Sequence, residues 1–267
     1  MQHESVFRKA VLIPIVLLAC AASAAELSIV VQPNHTPERS KQVYQPLLEY
    51  LNTTTGHTFN LLTPRDFHDY WIRIQEGEKP DLVIDEAHLT DFRIKRDGYI
   101  PLARVAENVS YSLLTTDNYT DETTEVFVGR KIVTMPAPSL GYLVLAEEFD
   151  NPMAQPDVSS SEQSWGDGIE IVFAREAEAA MSPSWLWASY PNLHPVFTSE
   201  TFPGMTVSAG PEVDVEVREA IKQALLSLHE QDEHYAALDE LNTSQFVPTR
   251  SSDYKSYSKI LRLIYNR

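Results

Sequence analysis

Leu27-Ser28-Ile29-Val30-Val31, Phe59-Asn60-Leu61-Leu62 and Asp81-Leu82-Val83-Ile84 are three short apolar runs, and the segments between them decide the fold. After the first run, Thr36-Pro37 offers a helix N-cap followed by proline at the first helical position, where its missing N–H is no loss. Val43, Leu47, Leu48 and Leu51 then recur at helical spacing, and Gly56 closes the segment. After the second run, Asp66 caps a segment whose Phe67, Tyr70, Trp71 and Ile74 fall at i, i+3, i+4 and i+7, and Gly77 ends it. The order β-α-β-α-β predicts a parallel sheet with helices on its faces.

Further along, Val109 to Thr115 reads as a strand and residues 116–124 as a polar linker. A second α/β stretch follows, with a strand over Lys131–Met135 and a helix over Gly141–Phe149. Residues 150–164 read as a loop with a short strand near Val158. Trp165–Arg175 reads as a helix weakened by Gly166 and Gly168, and Ala179–Met181 as a strand. Val207 marks another strand. Asp214 is placed to cap a helix carrying Val217, Ile221, Leu225 and Leu228, and a further helix carries Tyr235, Leu238 and Leu241. The last 18 residues hold five Lys or Arg and one Asp, which reads as a basic surface helix.

The chain has 267 residues, 43% hydrophobic and 22% charged, the balance of one large or two small globular domains. Arg8 and Lys9, the apolar stretch Ala10–Ala19 and the Ala22-Ser23-Ala24 site read as a secretory signal over residues 1–24. Removing it takes away Arg8, Lys9 and Glu4, so the formal charge passes from −17 to −18. Such a body repels phosphate backbones and excludes nucleic acid as a partner class. The one cysteine, Cys20, lies in the signal, so the mature chain has no disulfide or thiol nucleophile. Leu17-Leu18-Ala19-Cys20 also resembles a lipobox, which would anchor the chain through Cys20; the expected form is the soluble periplasmic one. Five N-x-S/T sequons, at Asn34, Asn52, Asn108, Asn118 and Asn242, carry no reading in a bacterial-type secreted chain.

The sequence lacks a G-x-S-x-G elbow, H-E-x-x-H, a P-loop and G-x-G-x-x-G. Ser252–Lys255 and Ser256–Lys259 match S-x-x-K without companion motifs, and His229 and His234 stand in an acidic helical region without metal spacing. Three places remain. Asp85-Glu86-Ala87-His88 follows a strand at the carboxyl edge where open α/β sheets bind ligands, and it reads equally as an Asp85 N-cap with Glu86 in the first turn. Pro136-Ala137-Pro138-Ser139-Leu140-Gly141-Tyr142 joins a strand to a helix, where free N–H groups and the Ser139 hydroxyl can hold an anion or simply cap the helix. Trp165, Trp185 and Trp187 serve as core or as cleft lining.

The order of these pieces resembles the phosphate/phosphite/phosphonate-binding periplasmic proteins of ABC transporters, type 2 solute-binding proteins with two α/β lobes. The resemblance is carried by Val31-Gln32-Pro33, Gln45 to Leu51, Gly77 to Asp81, Pro101 to Val105, Ser139-Leu140-Gly141-Tyr142, Phe202-Pro203-Gly204 and Phe246-Val247-Pro248. It spans nearly the whole mature chain. Ser139 to Tyr142 looks like a worn form of the family's S-T-S-G-[YF] anion loop, with Pro138 and Leu140 where the family has hydroxyl residues. Asp85-Glu86 replaces a glycine-containing turn, Trp165 stands in the place of a ligand-facing histidine, and Trp185 falls near an acidic residue that meets the amino group in aminophosphonate binders. Each carboxylate near the cleft would repel a phosphonate dianion by about 1 to 4 kcal/mol at 4 Å. These departures point to a cationic, aromatic or zwitterionic ligand.

The resemblance therefore implies a two-lobed periplasmic solute-binding protein. Lobe 1 is expected over 25–114 and 204–267, and lobe 2 over 115–203, each a mainly parallel sheet with flanking helices. The expected ligand-binding residues are Ser139, Gly141, Tyr142, Asp85, Glu86, Trp165, Trp185 and Phe67. No catalytic residue, metal or cofactor is expected. The expected partners are a small ligand and an ABC permease, the chain acting as a monomer. A sensor or scaffold of the same fold, acting on a membrane receptor or kinase, is the alternative.

Overall fold

The computed structural model describes residues 24–116 and 123–265. Most of the expected signal, with Cys20, and most of the expected linker lie outside these residues. The chain runs β1 (Glu26–Val31), α1 (Pro37–Thr55), β2 (Thr58–Leu62), α2 (Phe67–Gln75), β3 (Leu82–Asp85), α3 (Ala87–Asp97), β4 (Ile100–Val105), β5 (Tyr111–Thr115), β6 (Lys131–Val133) and α4 (Leu140–Glu148). It continues through β7 (Asp157–Ser159), α5 (Trp165–Phe173), β8 (Ala179–Pro183), α6 (Ser184–Trp187), β9 (His194–Thr198), β10 (Thr206–Ala209), α7 (Val215–Ser227), α8 (Tyr235–Glu240), β11 (Phe246–Pro248) and α9 (Arg262–Tyr265).

Local chemistry explains the first units. The Thr36 hydroxyl accepts the Arg39 N–H at 3.3 Å ahead of Pro37, and Gly56 ends α1 at φ 70°. Asp66 caps α2 by accepting the Asp69 N–H at 2.8 Å. The weak-looking α5 is secured by a capping box between Ser164 and Asp167. Its Gly168 lies against β6 and β8, where a Cβ would meet Val133 at 3.4 Å, so the helix seats close on the sheet.

There are two sheets. The first has the order β11-β4-β10-β3-β1-β2, the second β7-β6-β8-β5-β9. The parallel pairs, β1 with β2 and β3 and β6 with β7 and β8, are those of the β-α-β units. The strands next to the interlobe crossings add antiparallel pairs, so both sheets are mixed. β5 pairs with β8 and β9. It therefore belongs to lobe 2, and the first crossing falls near Asn108–Ser110 instead of after residue 114. The two crossings pair with each other, with Val109 N–H donating to Phe202 O at 2.9 Å and Phe202 N–H to Val109 O at 2.7 Å.

Asp214 stands at the N-cap position of α7 but its side chain makes no capping bond. The basic tail is no surface helix. It folds as short 3₁₀ turns and α9, buries Tyr254 and Leu261, and donates Ser258 N–H to Asp91 of α3 at 2.8 Å. Leu261 also packs with Leu143 of α4 in lobe 2, so the tail touches both lobes.

Gly204, in the return crossing, has no room for a side chain: a Cβ would lie 2.2 Å from Glu107 O and 2.4 Å from Val105 Cγ2. Gly204→Ala should destabilise the fold by about 3 kcal/mol, because backbone stands in the way. Thermal unfolding followed by circular dichroism should show a fall of roughly 6–12 °C for a domain of this size.

Candidate functional site

Strand periodicity sends Asp85 and Glu86, the residues after β3's apolar run, to opposite sides. Asp85 turns into lobe 1. Tyr70 Oη donates to its Oδ1, Arg93 Nε donates to Oδ2 at 2.8 Å, and the Arg93 guanidinium lies 5.4 Å from both the Tyr70 and Tyr99 ring centroids. Burial raises the Asp85 pKa against the opposing pull of Arg93 and Tyr70. Burial works against the Arg93 charge too, but Tyr70 and Asp85 hold its pKa above the usual range. Asp85 is thus neither the helix cap nor a cleft residue: Glu86 occupies the N-cap position of α3, and the Asp85 carboxylate is spent on a buried ion pair.

Glu86 faces the other lobe. Its N–H donates to Gln32 Oε1 at 2.8 Å, and Tyr111 Oη of β5 donates to its Oε1. Burial pushes the Glu86 pKa up to about 7, while Tyr111 and Gln32 favour the charged form. Its Oε2 is buried and accepts no hydrogen bond of normal geometry. Two further hydrogen bonds join the lobes beside this one. Trp165 Nε1 donates to Asn34 Oδ1 at 3.3 Å, and His88 Nε2 lies 2.9 Å from Pro138 O. Burial lowers the His88 pKa to about 4, so the ring is neutral and donates from Nε2.

At the expected anion loop, Ser139 caps α4. Its Oγ accepts the Tyr142 N–H at 3.3 Å and donates to Met135 O at 3.2 Å, fully buried. Gly141 lies beneath Trp165: a Cβ there would be 2.6 Å from the indole Cη2 and 2.9 Å from Tyr111 Cδ1. The indole packs on Tyr111 at 5.3 Å between centroids and covers the start of α4. Tyr142 points to a separate groove with Phe149 and Val158. Phe67 is fully buried in a cluster with Leu140 and Tyr254 and is core, not a cleft wall.

An open cavity of about 90 Å³ lies on the hinge side of these contacts. Glu86 and Trp185 line it, together with residues that sequence reasoning missed: His35, Tyr44, Glu107 and Glu240. Among the described residues, no Lys or Arg lines it. Glu240 is paired with Arg39 at 2.7 Å. Partial burial raises Glu107, but donors from Thr243 and Ser244 outweigh it and hold its pKa below the usual value. Burial, then Arg39, lowers His35. A second depression at the mouth shares Asn34, His35 and Trp185 and is walled by Trp165. Of the eight expected residues, then, Glu86 and Trp185 meet at the cavity and Trp165 stands beside it. Of the missed residues, His35 alone had a signal, since Gln32-Pro33-Asn34-His35 follows β1 at the same carboxyl edge as Glu86.

The profile of the family described as "ABC transporter, phosphonate, periplasmic substrate-binding protein" matches residues 29–254. The chain belongs to the phosphonate-binding proteins of ABC transporters. This periplasmic family binds small molecules and works with ABC permeases. No curated protein matches the chain. Among solved structures, PhnD1 from Prochlorococcus marinus, in complex with methylphosphonate, is similar with a TM-score of 0.77 at 13% identity, covering 91% of this chain and 99% of that one. The binding protein component of an ABC phosphonate transporter from Pseudomonas aeruginosa is similar with a TM-score of 0.73 at 14% identity, covering 90% and 86%. A Xanthomonas citri protein bound to ATP follows at 0.70 and 13%, covering 90% and 97%. At these identities the structures speak for the fold: two α/β lobes of the type 2 periplasmic binding class.

Proposed function

We propose that this phosphonate-binding-family protein delivers to an ABC permease a small solute other than a phosphonate, held in the hinge-side cavity between Glu86, Trp185 and the crossings. The observation that carries this reading is the cover over the α4 start. The Ser139 hydroxyl is used twice inside its own loop, and Trp165 lies on Gly141 where an oxyanion would need open N–H groups. A dianion would also meet Glu86 and Glu107, while among the described residues the one cation at the mouth, Arg39, is already paired with Glu240.

Thermal unfolding of residues 25–267 with a panel of solutes tests it: phosphate, phosphite, methylphosphonate, amino acids, polyamines, quaternary amines and neutral polyols. A solute at 100 times its Kd adds about 2.7 kcal/mol, a rise of roughly 5–10 °C. A rise with a solute lacking a phosphorus oxyanion is the expected result. A rise with methylphosphonate or phosphate alone would overturn the reading.

A further inference from the structure

We propose that the hinge-side cavity receives an uncharged head group carrying a hydrogen-bond acceptor, such as an amide or ketone carbonyl, with Tyr44 Oη as the donor. This rests on the reading above and names the class of solute. Tyr44 is 5% exposed and lines the cavity. Among the described residues nothing hydrogen-bonds its Oη, yet the atom keeps free surface. On a ring so buried, that surface is the cavity's. A buried hydroxyl without a partner costs free energy until something fills the place. Burial, then Glu86 and Asp85, raise the Tyr44 pKa, so the hydroxyl keeps its proton and donates.

The rest of the lining sets charge and size. Val43, Ile84, Val109 and Phe246 are buried apolar residues that line the cavity with Tyr44. A single free polar group among apolar walls orients a small ligand. Glu86 Oε2 is sealed from the cavity, and its Oε1 is taken by Tyr111. Glu107 is held by Thr243 and Ser244, and Glu240 by Arg39. No open carboxylate therefore waits for a cation. An anion would be repelled by the same groups, and among the described residues no Lys or Arg lines the cavity. A cavity of about 150 Å³ holds benzene, so a volume of about 90 Å³ suits a head of about four heavy atoms. The His35 and Trp185 rings, 6.1 Å between centroids, stand where the cavity meets the mouth, and the rest of the ligand would leave past them.

Titration of isotope-labelled residues 25–267 at neutral pH, followed by NMR, is the test. Butanamide, butylamine and butanoate share a stem and differ in the head, 2-pentanone offers a carbonyl without an N–H, and methylphosphonate completes the set. Butanamide and 2-pentanone should bind about tenfold tighter than butylamine and butanoate, whose charges would be buried without a partner. Tyr44→Phe removes the hydroxyl and nothing else. It should keep the thermal midpoint of the wild type, because that hydroxyl holds no other part of the protein. It should weaken both neutral probes by about threefold to tenfold, the worth of one neutral hydrogen bond. No saturable binding by either neutral probe, equal binding in Tyr44→Phe, or a lowered midpoint in that variant would overturn the proposal. Binding of butylamine or butanoate alone would overturn it and leave the reading of a non-phosphonate carrier standing, whereas a response to methylphosphonate alone would overturn both.

Discussion

Arg93→Met should cost about 3 to 5 kcal/mol, because it leaves the Asp85 carboxylate buried and uncompensated beneath Tyr70. The thermal midpoint should fall by roughly 6–20 °C. The cause can be separated from lost packing. Methionine keeps most of the apolar stem of Arg93, and the double variant Arg93→Met with Asp85→Asn removes the orphaned charge. The double variant should recover part of the loss. A single variant within 1 kcal/mol of the wild type would show that the pair does not hold α2, β3 and α3 together. Solute binding in the folded fraction should be unchanged, since this cluster lies on the far side of β3 from the cavity.

Trp165→Ala should be as costly, about 3 to 5 kcal/mol, for a different reason. The indole is 2% exposed and packs on Tyr111 and Gly141, so truncation leaves a void at the meeting of the lobes and takes away the donor to Asn34. Trp165→Phe keeps most of the packing and loses the Nε1–H bond, and should cost about 1 kcal/mol. Denaturant unfolding of the three proteins gives both numbers. A loss below 1 kcal/mol in Trp165→Ala would mean that the indole is not a structural cover and that the start of α4 is open to an oxyanion.

The fold was legible where local chemistry acts alone. Thr36-Pro37, Asp66 and Gly56 placed α1 and α2, and the three apolar runs placed β1, β2 and β3. β9, with the pattern of exposed and half-buried residues in His194–Thr198, carries no alternation to read and is a strand only because β5 offers it an edge. The boundary of lobe 1 was misplaced for a similar reason: Tyr111–Thr115 is buried throughout and reads as a strand of either sheet. In the site, Glu86 was found because it follows a strand. Its neighbour Asp85 was assigned with it, although one residue along a strand reverses the facing side. Arg93 lies eight residues on, and Tyr70 lies in the preceding helix. No spacing rule ties either to Asp85. Asn34 was met only as a sequon, and its role as acceptor for Trp165, 131 residues away, is a matter of tertiary closure.

β10 lies between β3 and β4 in the first sheet, although residues 106–205 separate it from both in the chain. As the polypeptide emerges N-terminus first, β3 and β4 therefore wait with open edges until Thr206–Ala209 arrives, and lobe 2 has time to form in the interval. Open strand edges are templates for the wrong partner. A chain interrupted between residues 105 and 206 carries all the parallel units of lobe 1 and still lacks the strand that joins them to β4. Its expected fate is association with other chains, so completeness of the polypeptide is checked by the sheet itself.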